Sequence, residues 1–145
     1  MKKKMKKNVF ILFIMLLGVS SAFAQKKAVI SFEKTTHDFG VFAESDGIQT
    51  YDFKFTNTGN DMLVIHQAIA SCGCTVPQFP KEPIRPGESG VIRVSYNGSG
   101  KFPGHFKKAI TIRSNATADM VRLYIEGEMT EKVVDVKKAI KKDNS

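Results

Sequence analysis

The sequence has no tryptophan, only two cysteines, and no helical periodicity before residue 130 of its 145. Without tryptophan and without widely spaced cysteines, an antibody-type immunoglobulin domain is excluded. There is no Gly-x-Ser-x-Gly elbow, no His-Glu-x-x-His pair and no phosphate loop, so the common hydrolase, metalloprotease and nucleotide sites are missing. Asp38-Phe39-Gly40 repeats the kinase tripeptide, but the glycine-rich and catalytic loops that give it meaning are absent. The formal charge of +8 is an effect of the ends. Lys2, Lys3, Lys4, Lys6 and Lys7 open the chain, and Lys132, Lys137, Lys138, Lys141 and Lys142 close it. Between residues 25 and 130 basic and acidic side chains nearly balance, 12 against 11. Nucleic acid is therefore not an expected partner, because phosphate contacts need clustered Lys and Arg.

Residues 1–24 have the layout of a secretory signal peptide. A basic segment is followed by the uncharged apolar run Val9 to Val19, then by Ala22-Phe23-Ala24, with small residues at −3 and −1 of a cleavage site. The run is shorter than the roughly 20 residues of a spanning helix, so no stable membrane span is expected after cleavage. An uncleaved anchor is the alternative. No cysteine follows the run, which leaves a lipoprotein anchor unsupported. The expected address is exported, periplasmic or secreted, where disulfides persist.

From Ala28 onward, short strands alternate with turn signals. Tyr51, Phe53 and Phe55 share one face of Gln49 to Thr56 while Asp52, Lys54 and Thr56 share the other, the period of a half-buried strand. Asn57-Thr58-Gly59-Asn60 ends it with turn chemistry. Ala28 to Glu33, Thr36 to Phe42, Val91 to Tyr96, Phe106 to Arg113 and Met120 to Met129 read as further strands. Lys108 breaks the alternation of its strand. Met62 to Ala70 is apolar on both faces and reads as a central strand. Cys72 to Gly90 holds four prolines and reads as a long loop. The fold class expected is all-β, an immunoglobulin-like antiparallel β-sandwich of seven to eight strands over residues 28–130. A closed barrel is the second choice. Residues 131–145 read as a Lys-rich solvated tail.

The order of Thr36-His37-Asp38-Phe39-Gly40, Phe53-Lys54-Phe55-Thr56-Asn57-Thr58-Gly59, Ser71-Cys72-Gly73-Cys74-Thr75, Pro86-Gly87-Glu88 and Gly104-His105-Phe106 resembles a family of exported bacterial domains of unknown function. Those domains are similar to Hydin-type (ASH) domains and, more distantly, to major sperm protein. The resemblance covers roughly residues 30–130. It implies an immunoglobulin-like sandwich without established catalysis, whose relatives of this shape serve mostly as binding and assembly modules.

Cys72-Gly73-Cys74 is the most chemical feature of the sequence. In an extended strand the two Cα atoms would lie about 6.7 Å apart, the upper edge of disulfide geometry. Gly73 could take a positive φ and tighten the segment. A bridge there adds little to stability, ~1.6 kcal/mol for so short a loop. Three readings of the pair stay open: a loop disulfide or two buried thiols, a soft-metal site for copper or zinc with His66 as a third ligand, or a redox or partner-joining couple. His37, His66 and His105 read as surface or structural histidines. The exposed strand edges, the loop 71–90 and Phe102-Pro103 are candidate contact surfaces, although Phe79 and Phe102 read first as caps on the ends of the core. The functional expectation is an exported, non-catalytic protein-binding or assembly module, not an enzyme and without a cofactor, with an unidentified protein partner in the cell envelope. The alternative is a thiol-based metal-binding or redox protein using Cys72 and Cys74.

Overall fold

The alternation at Tyr51, Phe53 and Phe55 becomes the centre of a two-sheet core. The computed structural model describes residues 25–131. The expected signal peptide (1–24) and all but Glu131 of the expected tail (131–145) lie outside them. Eight strands form: β1 (Ile30–Phe32), β2 (Thr36–Ala43), β3 (Gln49–Asn57), β4 (Ile65–Ala70), β5 (Thr75–Gln78), β6 (Ser89–Tyr96), β7 (Gly104–Ser114) and β8 (Met120–Thr130). One sheet has the order β1-β3-β6-β5 and the other β2-β8-β7-β4. The fold is thus the expected all-β sandwich.

The inward residues of the four inner strands fill the space between the sheets. Phe53 and Phe55 of β3, Ile92 and Val94 of β6, Ile110 and Ile112 of β7, and Leu123 and Ile125 of β8 are all essentially without solvent exposure. Burial of each such side chain stabilises the fold by about 1.5–3 kcal/mol before chain entropy is counted. An aromatic cluster closes one end. The rings of Tyr96 and Phe106 stack with centroids 4.1 Å apart, and Phe42 meets both edge-on.

Each lateral side of the sandwich is closed by a chain segment that changes sheets. On one side β1 leads through Glu33–Thr35, with bends at Glu33 and Thr35, into β2 of the other sheet. There β2 lies alongside β8 in parallel. Every other strand pairing is antiparallel, so this one pair departs from a purely antiparallel sandwich. Gly40, at φ 69°, allows the bulge between Asp38 and Val41, and Asp38 Oδ1 accepts the Gly40 N–H at 2.8 Å.

On the other side β4 crosses at Ser71–Cys74 into β5. Two expectations change here. β4 is an edge strand, not a central one: Ile69, counted as apolar filling, is 49% exposed. The proline-rich loop contains a strand, β5, which pairs with β6 although Pro77 lies within it. The missing N–H is tolerated because β5 is the last strand of its sheet.

Candidate functional site

The crossover from β4 to β5 is held at three points of backbone. The Ser71 N–H donates to the Ala109 carbonyl of β7 at 2.9 Å, and the Ser71 hydroxyl accepts the Ala109 N–H at 3.2 Å. The Asn97 N–H, just after β6, donates to the Cys74 carbonyl at 2.8 Å. Between these anchors the Thr75 N–H donates to the Cys72 carbonyl at 3.2 Å and closes a tight turn. The turn is fastened to both sheets at once.

Cys72 and Cys74 are joined in this turn as a disulfide with a Cα–Cα distance of 5.3 Å. That lies well inside the ordinary range, because the segment turns where an extended strand would have held the pair farther apart. Gly73 does not have a positive φ, and a Cβ placed on it would meet nothing within 4 Å. The turn, not a left-handed glycine, brings the sulfurs together. The buried Thr75 places its hydroxyl 3.4 Å from Cys72 Sγ and 3.9 Å from Cys74 Sγ.

The disulfide lines an open hollow of about 280 Å³ at the end of the sandwich. The stacked rings of Tyr96 and Phe106 line it too, and burial raises the Tyr96 phenol above its usual pKa. Lys101, Phe102, His105 and Lys108 complete its lining, without a carboxylate. Lys108 accounts for the break in the β7 alternation. It shares the inner face with Phe106 and Ile110, but at the open end, where it borders the hollow rather than the core. Phe102 is 98% exposed. The expected capping role falls to Phe79, which packs against the core with Lys81 Nζ 3.5 Å from its ring centroid.

The histidine at this hollow is His105, not His66. His66 is exposed on the edge strand β4, at the bulge between Ile65 and Gln67, and does not line the hollow. Among the described residues no group of three His, Cys, Asp or Glu side chains converges as a metal site. With both sulfurs bonded to each other and His66 elsewhere, the donor set expected for copper or zinc is not brought together. His105 could have been found by its position at the start of a strand whose inner face ends in Phe106. His37 packs face to face on Tyr51, centroids 3.6 Å apart, and edge-on to Phe39. Burial lowers its pKa, with Asp38 opposing and Lys34 adding to the shift.

The other exposed features are the sheet's outer face and its edges. A shallow hollow of about 740 Å³ lies on the outside of β3 and β6. Two of its charged residues are paired: Arg93 holds Asp52 with two hydrogen bonds of 2.7 and 2.8 Å, which keeps the Asp52 carboxyl below its usual pKa. The four edge strands are unequal. β1 has three residues, β5 contains Pro77, and β2 is bulged at Gly40. β4 is bulged only at its start, and from Gln67 to Ala70 it carries neither charge nor proline. The Ser71 N–H points to β7. By antiparallel alternation Gln67 and Ile69 point there as well, and Ala68 and Ala70 direct their N–H and C=O groups outward. Among the described residues no strand lies beyond β4.

Solved structures share this architecture. The chain is similar to a protein of unknown function from Porphyromonas gingivalis W83, with TM-score 0.64 and 19% identity over 77% of this chain and 51% of that one. It therefore spans about half the length of that protein. It is similar to the ASH/PapD-like domain 7 of human CEP192, with TM-score 0.58 and 7% identity over 73% of this chain and 88% of that domain. The periplasmic chaperone SfaE matches with TM-score 0.50 and 12% identity, over 78% of this chain and 64% of that one. At these identities the likeness is one of fold. No curated protein matches the chain. Residues 30–129, from the first strand to nearly the end of the last, match one family model, and the chain belongs to that family, described as Protein of unknown function (DUF1573).

Proposed function

We propose that this chain is an exported, non-catalytic protein-binding or assembly module that takes up an extended segment of a partner protein along β4. The observation that carries this reading is the outer edge of β4. Four consecutive residues, Gln67 to Ala70, are uncharged and free of proline, and two of them direct backbone groups away from β7 with no strand beyond them among the described residues. Proteins ordinarily blunt such an edge with charge, proline or a bulge. An edge left open is a template for strand addition, with backbone hydrogen bonds supplying affinity and Ile69 one side-chain contact. The fold supports the reading: its structural neighbours include a periplasmic chaperone and an ASH/PapD-like domain. Among the described residues no helix is long and apolar enough to cross a membrane. Export to the periplasm or beyond rests on the three-part layout of residues 1–24.

The test is a substitution at the open edge. Ala68→Pro removes one outward N–H and leaves the ladder to β7 intact, since proline is tolerated on an edge strand when its nitrogen faces solvent. The Ala68→Pro chain should fold and lose its envelope partner. Retained binding by a folded Ala68→Pro chain would refute the edge as the docking surface.

A further inference from the structure

We propose that Cys72–Cys74 is a thiol–disulfide exchange site that passes its bond, once per chain, to a vicinal dithiol of another exported protein. This does not rest on the β4 reading.

Four observations point to it. The bridge spans a sequence separation of 2, so little chain entropy holds it closed. The turn does not depend on it, because Ser71, Cys74 and Thr75 are fastened by backbone hydrogen bonds to β7, Asn97 and Cys72. Opening the bridge therefore leaves the corner in place. The sulfurs border an open hollow whose charged lining groups are Lys101 and Lys108, with His105 beside them. Cations there favour both an approaching and a departing thiolate. Asp38 and Glu128 line a separate hollow that shares His105, and the Glu44 carboxylate beside Lys101 accepts the Gly100 N–H at 3.0 Å. Finally, the Thr75 hydroxyl, 3.4 Å from Cys72 Sγ, is placed to donate to a thiolate formed there. Phe102, exposed on the rim, offers an apolar contact for the residues flanking the dithiol.

The exchange balances in two displacements. A partner thiolate attacks Cys74 Sγ and forms a mixed disulfide. The Cys72–Cys74 bond breaks, and its electron pair leaves on Cys72 Sγ, beside Thr75. The partner's second thiolate then attacks the partner sulfur of the mixed disulfide and releases Cys74 as a thiolate. The partner dithiol is oxidised by two electrons, this disulfide is reduced by two, and the two protons of the partner thiols end on Cys72 and Cys74.

The experiment uses the full chain and a reduced Cys-x-x-Cys peptide as probe, with alkylation and mass spectrometry at timed intervals. One equivalent of oxidised peptide should form per chain, with two alkylated cysteines and no loss of the sheet signal in circular dichroism. In the Lys101→Gln, Lys108→Gln variant the rate should fall roughly three- to tenfold, and the difference should shrink at high salt. Failure of the folded chain to oxidise the peptide would overturn the proposal, as would an unchanged rate in the lysine variant. Partner capture by a Cys72→Ser, Cys74→Ser chain reports on β4 separately.

Discussion

The side-chain amide of Asn57 donates to the Ile84 carbonyl at 3.0 Å from a position with no solvent exposure. The same amide donates to the Asp61 carbonyl at 2.8 Å, while its oxygen accepts the N–H groups of Gly59 at 3.1 Å and Val29 at 3.3 Å. One side chain at the end of β3 thus joins the residue just ahead of β1, the turn after β3 and the segment that leads to β6. Replacing it takes a partner from one buried and three part-buried backbone groups at once.

Asn57→Ala should therefore destabilise the fold by about 3 kcal/mol, at the upper end of what single polar substitutions do. Urea titration followed by circular dichroism measures it. A change below about 1 kcal/mol would mean that water replaces the lost bonds.

Two glycines should behave in opposite ways. A Cβ on Gly59 would collide with the backbone of Lys27 and Ala28, which cannot move without breaking the Asn60–Lys27 contact. A Cβ on Gly73 meets open space at an ordinary φ. Gly59→Ala should lower the melting temperature sharply, and Gly73→Ala should leave both the melt and the disulfide as they are. A Gly73→Ala chain recovered with free thiols would contradict the turn described above.

The half-buried His37 gives the fold an acid sensitivity. Its folded pKa is lowered, first by burial, so the unfolded chain binds the proton more readily. This contribution to stability is complete above the usual histidine value of 6.5 and is lost as pH falls below it. Thermal melts of the wild type should decline from pH 7 to pH 5, and those of His37→Phe, which keeps the ring on Tyr51, should decline less. Parallel declines would remove His37 as the cause. Asp52, held down by Arg93, contributes its own loss only at lower pH, through the carboxylate range.

Removal of the disulfide should cost the fold little. For so short a loop the chain-entropy contribution is ~1.6 kcal/mol, and the corner keeps its backbone bonds. The Cys72→Ser, Cys74→Ser chain should melt within a few degrees of the wild type. A collapse of the melt would show that the bridge, and not the backbone, holds the crossover.

The parts of the fold that were legible in the sequence are those where one face is buried and one is wet. Phe53 and Phe55, Ile92 and Val94, and Leu123 and Ile125 announce their strands by period two. The same period carries past Phe55 to Asn57, but turn chemistry hides the inward position, since an asparagine before Thr-Gly reads as surface. β5 was illegible because prolines mark loops, and only its place at a sheet edge admits one. β4 reads as central because apolar residues between Met62 and Ala70 fall on both faces; exposure of Ile69 depends on strand order, which local pattern does not encode. The cysteine pair was visible, but its neighbours were not. His105, Lys101 and Lys108 reach it from another part of the chain, and His66, nearer in sequence, does not line the hollow.

The measurement that tests the account most directly is quantitative affinity capture from the native envelope with three chains in parallel: wild type, Ala68→Pro, and Cys72→Ser with Cys74→Ser. The account predicts a protein partner held equally by the wild type and the double serine chain and lost from Ala68→Pro while that chain remains folded. A partner bound equally by all three, or no partner enriched by the wild type, would contradict it.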